Sequence, residues 1–135
     1  MPQAELTKII IDEKRQDQII VLKEKGGDRQ FPIVIGVPEA ASIKMFLSGV
    51  VSPRPMTHDL LLALVIQLGG RVERVIIDDL VANAFHAKMV VRTPNGQELR
   101  VDCRPSDAIA VAVRVQALIF VEEEVFKKAM IFKVE

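Results

Sequence analysis

Tryptophan and tyrosine are absent from the 135 residues, and six phenylalanines bring the aromatic share to only 4%. Those phenylalanines are scattered through apolar segments, so no row of rings is available for stacking single-stranded bases. Cysteine occurs once, at Cys103, which excludes an internal disulfide and makes the cytoplasm the expected compartment. No charge of one sign prevails: Lys plus Arg number 18, Asp plus Glu number 18, and the formal net charge is +0. Without an overall field toward nucleic acid or anionic lipid, any such contact has to be a local patch. The longest apolar run, Leu60 to Ile66, falls far short of the roughly 20 residues a membrane helix needs. The Met1-Pro2-Gln3 start lacks the basic and then apolar pattern of a secretion signal. Phosphate loops of the G-x-x-x-x-G-K type, CxxC pairs, HExxH and G-x-S-x-G are missing, and no motif points to an organic cofactor.

What is there is half hydrophobic, with a mean hydropathy of +0.26. A chain of this length and composition predicts one domain over residues 1–135 with a sizeable core. Leu6 to Asp12, Gln18 to Lys23 and Phe31 to Ile35 read as strands, with Gly26-Gly27-Asp28 as a turn. A helix led by Pro38 and Glu39 runs to Leu47 and stops at Ser48-Gly49, and a second runs from Thr57, as its cap, to Leu68 before Gly69-Gly70. The pattern then recurs. Arg71 to Asp79, Phe85 to Val91 and Leu99 to Cys103 read as strands, Asp78-Asp79 as the entry to a turn, and Pro94-Asn95-Gly96 as a hairpin turn. Pro105 opens a third helix to about Arg114, Leu118 to Val121 is a short extended segment, and Glu122-Glu123-Glu124 starts a last helix toward Ala129.

Shifting the chain by about half its length lays Pro38 on Pro105 and Ile9-Ile10 on Ile76-Ile77. The expected fold is therefore α+β, a duplicated β-β-β-α-α unit over about 1–67 and 68–135 that shares one barrel-like sheet. Leu60 to Ile66 is apolar on every side, and Ala108 to Val115 is broken only by Arg114. Both helices are expected to be buried all round, either as a very central pair or with a face covered by another subunit, and the second arrangement, a homo-oligomer, is the one expected.

Polar residues gather at two helix starts, Pro53-Arg54-Pro55-Met56-Thr57-His58-Asp59 and Asp102-Cys103-Arg104-Pro105-Ser106-Asp107. Asp102 and Asp107 could hold a divalent metal, Mg²⁺ or Mn²⁺, while Arg104 and helix-terminal amides hold a phosphate. The same residues could instead cap helices and pair with one another: Ser106 or Thr57 as caps, Asp59 and Asp107 answering helix dipoles, Asp102 on Arg104. His58 is the natural acid or base, since imidazole titrates near neutrality. His86, inside a strand, reads as structural, and Cys103 as a packed side chain rather than a nucleophile.

The runs FPIVIGVPEAASIKMFLSG, PRPMTHDL and VDCRPSDAIAVAVR, in this order, closely resemble the bifunctional nuclease domain family. The resemblance implies a duplicated three-strand, two-helix fold and DNase and RNase activity, with nucleic acid as partner. It also implies a characteristic polar set: Glu39, Arg54, Thr57, His58, Asp59, Asp102, Arg104, Ser106 and Asp107. In a phosphodiesterase reading, His58, Asp59, Asp102 and Asp107 are catalytic, with Asp102 and Asp107 as metal ligands. Arg54, Thr57, Arg104, Ser106 and Glu39 then bind substrate. The alternative is a non-catalytic module in which these residues form a small-anion pocket or a regulatory subunit contact.

Overall fold

The structure is a computed structural model and describes residues 1–12, 14 and 16–131. The first half runs β1 (Gln3–Ile10), β2 (Asp17–Glu24), β3 (Gln30–Gly36), α1 (Val37–Leu47) and α2 (Thr57–Gln67). The second runs β4 (Arg71–Val81), β5 (Ala84–Arg92), β6 (Glu98–Cys103), α3 (Pro105–Val115), β7 (Leu118–Val121) and α4 (Glu123–Ile131). Each half is an antiparallel three-strand meander followed by helices, but the second inserts β7 between its two helices. That insertion joins the halves. β7 lies between β1 and β4, antiparallel to β1 and parallel to β4, giving one seven-stranded sheet in the order β3-β2-β1-β7-β4-β5-β6.

The sheet is open, not a closed barrel, because β3 and β6 are its two ends. It is nevertheless strongly curled, as the right-handed twist of many adjacent strands dictates. Phe31 of β3 stacks on Phe85 of β5 at 5.2 Å between ring centroids, and meets Phe126 of α4 edge-on at 5.3 Å. α3 fills the resulting hollow: Pro105, Ser106 and every residue from Ala108 to Ala112 are buried. Small residues suit that place, since Ala108, Ala110 and Ala112 let α3 approach the sheet while Ile109 and Val111 supply apolar area, each worth about 1.5 to 3 kcal/mol when fully buried.

The two apolar helices thus part company. α3 is enclosed within one chain, whereas α2 buries only His58 and Leu62 and leaves Leu60, Leu64 and Ile66 more than half exposed. β1 starts and ends earlier than its β-branched run suggests, because Ala4 pairs with Ile119 of β7. Asp12 lies beyond the strand, its N–H donating to the Gln18 side chain at 2.7 Å. Asp78 and Asp79 do not open a turn either. A bulge between Ile77 and Asp79 carries β4 on to Val81, and the turn falls at Ala82 and Asn83, both at positive φ (50° and 66°). Among the described residues no helix is long and apolar enough to cross a membrane.

Candidate functional site

Helices α1, α2 and α3 bring their N-termini together, and each carries an acid in its first turn: Glu39, Asp59 and Asp107. Exposed first-turn N–H groups and the helix dipole favour a carboxylate there. The residues at the N-caps are Gly36, Met56 and Arg104, the last two lying one position before the expected Thr57 and two before the expected Ser106, and none makes a side-chain cap bond. Instead Asp59 reaches back and accepts the N–H of Met56 at 3.0 Å.

One polar chain links these acids. Arg104 donates from Nε to Asp107 Oδ2 at 2.9 Å, from Nη2 to Asp107 Oδ1 at 3.2 Å and from Nη1 to Glu39 Oε1 at 3.1 Å. His58 Nε2 lies 2.9 Å from Asp107 Oδ1, and His58 Nδ1 lies 2.8 Å from Ser42 Oγ. Arg114 closes the other end, donating to Ser42 Oγ at 2.9 Å, to Asp59 Oδ1 at 2.8 Å and to the Ala110 carbonyl at 2.9 Å. Because Arg114 occupies an acceptor site on Ser42, the Ser42 hydroxyl is free to donate to Nδ1, and the tautomer this favours carries the His58 proton on Nε2, toward Asp107.

Burial grades this chain from inside to outside. Ser42 and His58 are buried, and the Arg114 side chain is 5% exposed, beneath the Phe46 ring. The Arg104 side chain is 67% exposed. Burial pushes the Asp107 carboxyl up, but the hydrogen bonds from Arg104 and His58 outweigh it and hold it below the ordinary aspartate range. Asp59 is likewise held low, chiefly by its hydrogen bond from Arg114. Arg104, Ser106 and Glu39 open on a cleft of 310 Å³ walled by β3 and by Asn83, Ala84 and Phe85.

The structure therefore gathers Glu39, His58, Asp59, Arg104 and Asp107, and sets Ser106 on the cleft wall. Arg54 and Thr57 are exposed on the approach to α2. Asp102 goes elsewhere. It projects with 77% exposure beside Lys88, whose Nζ is 3.2 Å from Asp102 and 3.1 Å from Asp78. Asp102 and Asp107 do not fit a shared metal: each is committed to a cationic partner, and among the described residues no group of three or more His, Cys, Asp or Glu is placed to hold an ion. His86 is exposed on β5. The Cys103 thiol is pushed up to about 11, mainly by burial, which keeps it protonated at neutral pH and excludes a thiolate role.

Ser42 and Arg114 were not among the sequence candidates. Ser42 is a lone hydroxyl in an Ala-rich helix, and Arg114 announces itself only as the break in an apolar run. Their role depends on helix packing, not on neighbours in sequence.

Fold and site together define a small α+β domain that presents an exposed guanidinium at an open cleft, backed by a buried histidine paired with a part-buried aspartate. The model of the bifunctional nuclease domain matches residues 20–133, and the chain belongs to that family. It is 37% identical over 129 residues to an uncharacterized protein of Mycobacterium tuberculosis, covering 96% of this chain and 76% of that protein. Bifunctional nuclease 1 of rice (Oryza sativa subsp. indica) and the bifunctional nuclease of Oryza minuta are each 28% identical over 109 residues, 78% of this chain and 33% of theirs.

Proposed function

We propose that the protein hydrolyses phosphodiester bonds of DNA and RNA at the cleft beside Arg104. The observation that carries this reading is the state of the Arg104 guanidinium. Three of its five N–H donors are taken by Asp107 and Glu39, the remaining two have no partner among the described residues and can meet phosphate oxygens, and the side chain is 67% exposed. Fixing an arginine on two carboxylates before substrate arrives lowers the entropy lost when it clamps a phosphate.

In this reading Glu39 is the base. Its Oε1 accepts from Arg104, while Oε2 has no partner among the described residues, so it can take the proton of a water attacking the phosphorus. The new bond is water oxygen to phosphorus, the bond that breaks is phosphorus to the leaving ribose or deoxyribose oxygen, and that oxygen takes its proton from solvent. His58 and Asp107 hold Arg104 in place. Arg54 and Thr57 receive flanking phosphates. Membership of the family and the likeness to the rice bifunctional nucleases support nucleic acid as the substrate.

A second reading has its own observation: both His58 ring nitrogens are already engaged, which suits a fixed anion-binding module without catalysis. A cleavage assay on single- and double-stranded DNA and RNA, with Mg²⁺, with Mn²⁺ and with EDTA, separates the two and sets the metal requirement. Arg104→Ala is expected to slow cleavage by about a hundredfold, roughly 2.7 kcal/mol of barrier, with folding stability within about 0.5 kcal/mol because the side chain is so exposed. Glu39→Gln is expected to cut turnover more than binding. Nucleic-acid binding that depends on Arg104, with no cleavage in any metal, would leave the anion-binding module.

A further inference from the structure

One wall of the cleft at Arg104 is the free edge of β3, an end of the sheet. The strand register fixes which main-chain groups stand on that edge. At the turn between β2 and β3, Glu24 donates its N–H to the Arg29 carbonyl at 2.8 Å, and the pairing runs on from there to Asp17 and Gly36 without a bulge. Main-chain groups alternate along an antiparallel ladder, so Phe31, Ile33 and Ile35 turn theirs toward β2, and Pro32 and Val34 turn theirs outward. Pro32 agrees with this phase, since proline is tolerated on an edge strand where the missing N–H would face away from the ladder. The edge therefore offers, in order, the Pro32 carbonyl, the Val34 N–H and the Val34 carbonyl. Among the described residues none of the three has a partner. Phe85, with the Phe31 ring stacked on it at 5.2 Å, lines the same cleft, and so does Arg104 with its two remaining donors.

We infer that this edge holds one unpaired nucleobase, with the adjoining phosphate on Arg104, and that the substrate is single-stranded nucleic acid. The inference rests on the hydrolytic reading of the cleft and names what is held beside the phosphate. Every base carries a donor and an acceptor side by side on its pairing edge, and a row of acceptor, donor, acceptor meets them in either order. Adenine and cytosine donate from the amino group to the Pro32 carbonyl and accept the Val34 N–H on a ring nitrogen. Guanine, uracil and thymine accept the Val34 N–H on a carbonyl oxygen and donate a ring N–H to the Val34 carbonyl. A base within a duplex has spent that edge on its partner and must leave the stack before it can bind. The row makes no use of the 2′-OH, the group by which a protein tells RNA from DNA, so both polymers are served.

An extended peptide could also add to a free strand edge, but it needs successive residues that both donate and accept. Here Pro32 has no N–H to give and Gly36 already caps α1, which leaves Val34 alone with both groups. A single base asks for no more than that. The Arg104 donors beside it call for an anion, which a nucleotide brings with it.

Titrating the full chain in EDTA while following its amide resonances tests the edge without turnover. Two hydrogen bonds to the base are expected to make 5′-AMP and 5′-UMP each bind at least about tenfold tighter than ribose 5-phosphate. Both nucleotides should shift the Val34 amide, and ribose 5-phosphate should not. 5′-AMP dimethylated on its amino group has no hydrogen to give Pro32 and is expected to lose that advantage. Val34→Pro removes the donor without touching the β2 ladder, and is expected to lower 5′-AMP affinity to that of ribose 5-phosphate and to erase a preference for cleaving single strands over duplex. Should Val34→Pro fail to fold, the dimethylated nucleotide decides alone. Equal binding of 5′-AMP, its dimethyl form and ribose 5-phosphate overturns the inference. So does a Val34 amide that answers to an extended peptide and not to nucleotides. Base-dependent binding with no cleavage of any nucleic acid would remove the hydrolytic reading and keep the base subsite, whereas cleavage without base-dependent binding would do the reverse.

Discussion

His58 Nε2 and Asp107 Oδ1 lie 2.9 Å apart although 49 residues separate them in the chain. The bond ties the first turn of α2 to the first turn of α3, and through Ser42 it reaches α1 as well. The starts of α2 and α3 and the middle of α1 are therefore held by one imidazole, and the Arg104 guanidinium at the surface rests on the same carboxylate.

Removing that imidazole should be costly to the fold. His58→Ala leaves the buried Ser42 hydroxyl without an acceptor for its proton and takes one of two donors from Asp107 Oδ1, and an unsatisfied buried polar group costs about 1 to 3 kcal/mol. The expected result is a lower denaturant midpoint by that amount with an unchanged slope. A midpoint equal to that of the parent chain would mean that the three helices are held by their apolar contacts alone.

Acid should weaken the protein through Asp107. Its folded-state pKa lies below the ordinary value of 3.8, so the ionised form favours the folded chain. The stabilisation is present above that ordinary value and is lost as pH falls through the folded one. Unfolding free energy measured from pH 6 down to pH 2 is expected to fall in the acid range, and Asp107→Asn is expected to flatten part of that fall. Asp59, also held low, contributes in the same direction, so the slope should not vanish. An identical acid slope in Asp107→Asn would remove this carboxylate from the account.

The end of α2 offers a test away from the site. Gly69 has φ +85°, and a Cβ there would lie 2.6 Å from Cγ of Pro94 in the β5-β6 turn. Gly69→Ala combines a backbone penalty of about 1 kcal/mol or more with a clash against a ring that cannot rotate away. It is expected to lower the melting temperature clearly, and Pro94→Ala in the same chain should recover part of the loss. Gly49→Ala has a similar φ, +74°, but open space around it, and so reports the backbone penalty alone.

Local chemistry made most elements legible. β7 falls on Leu118–Val121 as its extended run indicates, and α1 and α3 carry Pro38 and Pro105 at their second and first residues because proline suits the first helical turn. The turn at Ala82 and Asn83 was hidden, since neither the Asn-Gly nor the Asp-Gly pair that favours positive φ is present. Burial of α2 was legible only in part, for a different reason. An all-apolar helix states that its faces prefer contact, not that one chain supplies it.

The candidate site divides along the same line. Sequence alone determined which side chains stand at the helix starts, because proline, acid and glycine act on the backbone within a few residues of themselves. It thereby named Glu39, His58, Asp59, Arg104 and Asp107. Tertiary structure alone decided that His58 meets Asp107, that Ser42 and Arg114 complete the chain, and that Asp102 turns away to Lys88. Those outcomes depend on where α3 sits in the hollow of the curled sheet and on the period-two alternation of β6, in which Asp102 and Cys103 must face opposite sides. Packing of distant segments fixed them, and no local propensity encodes it.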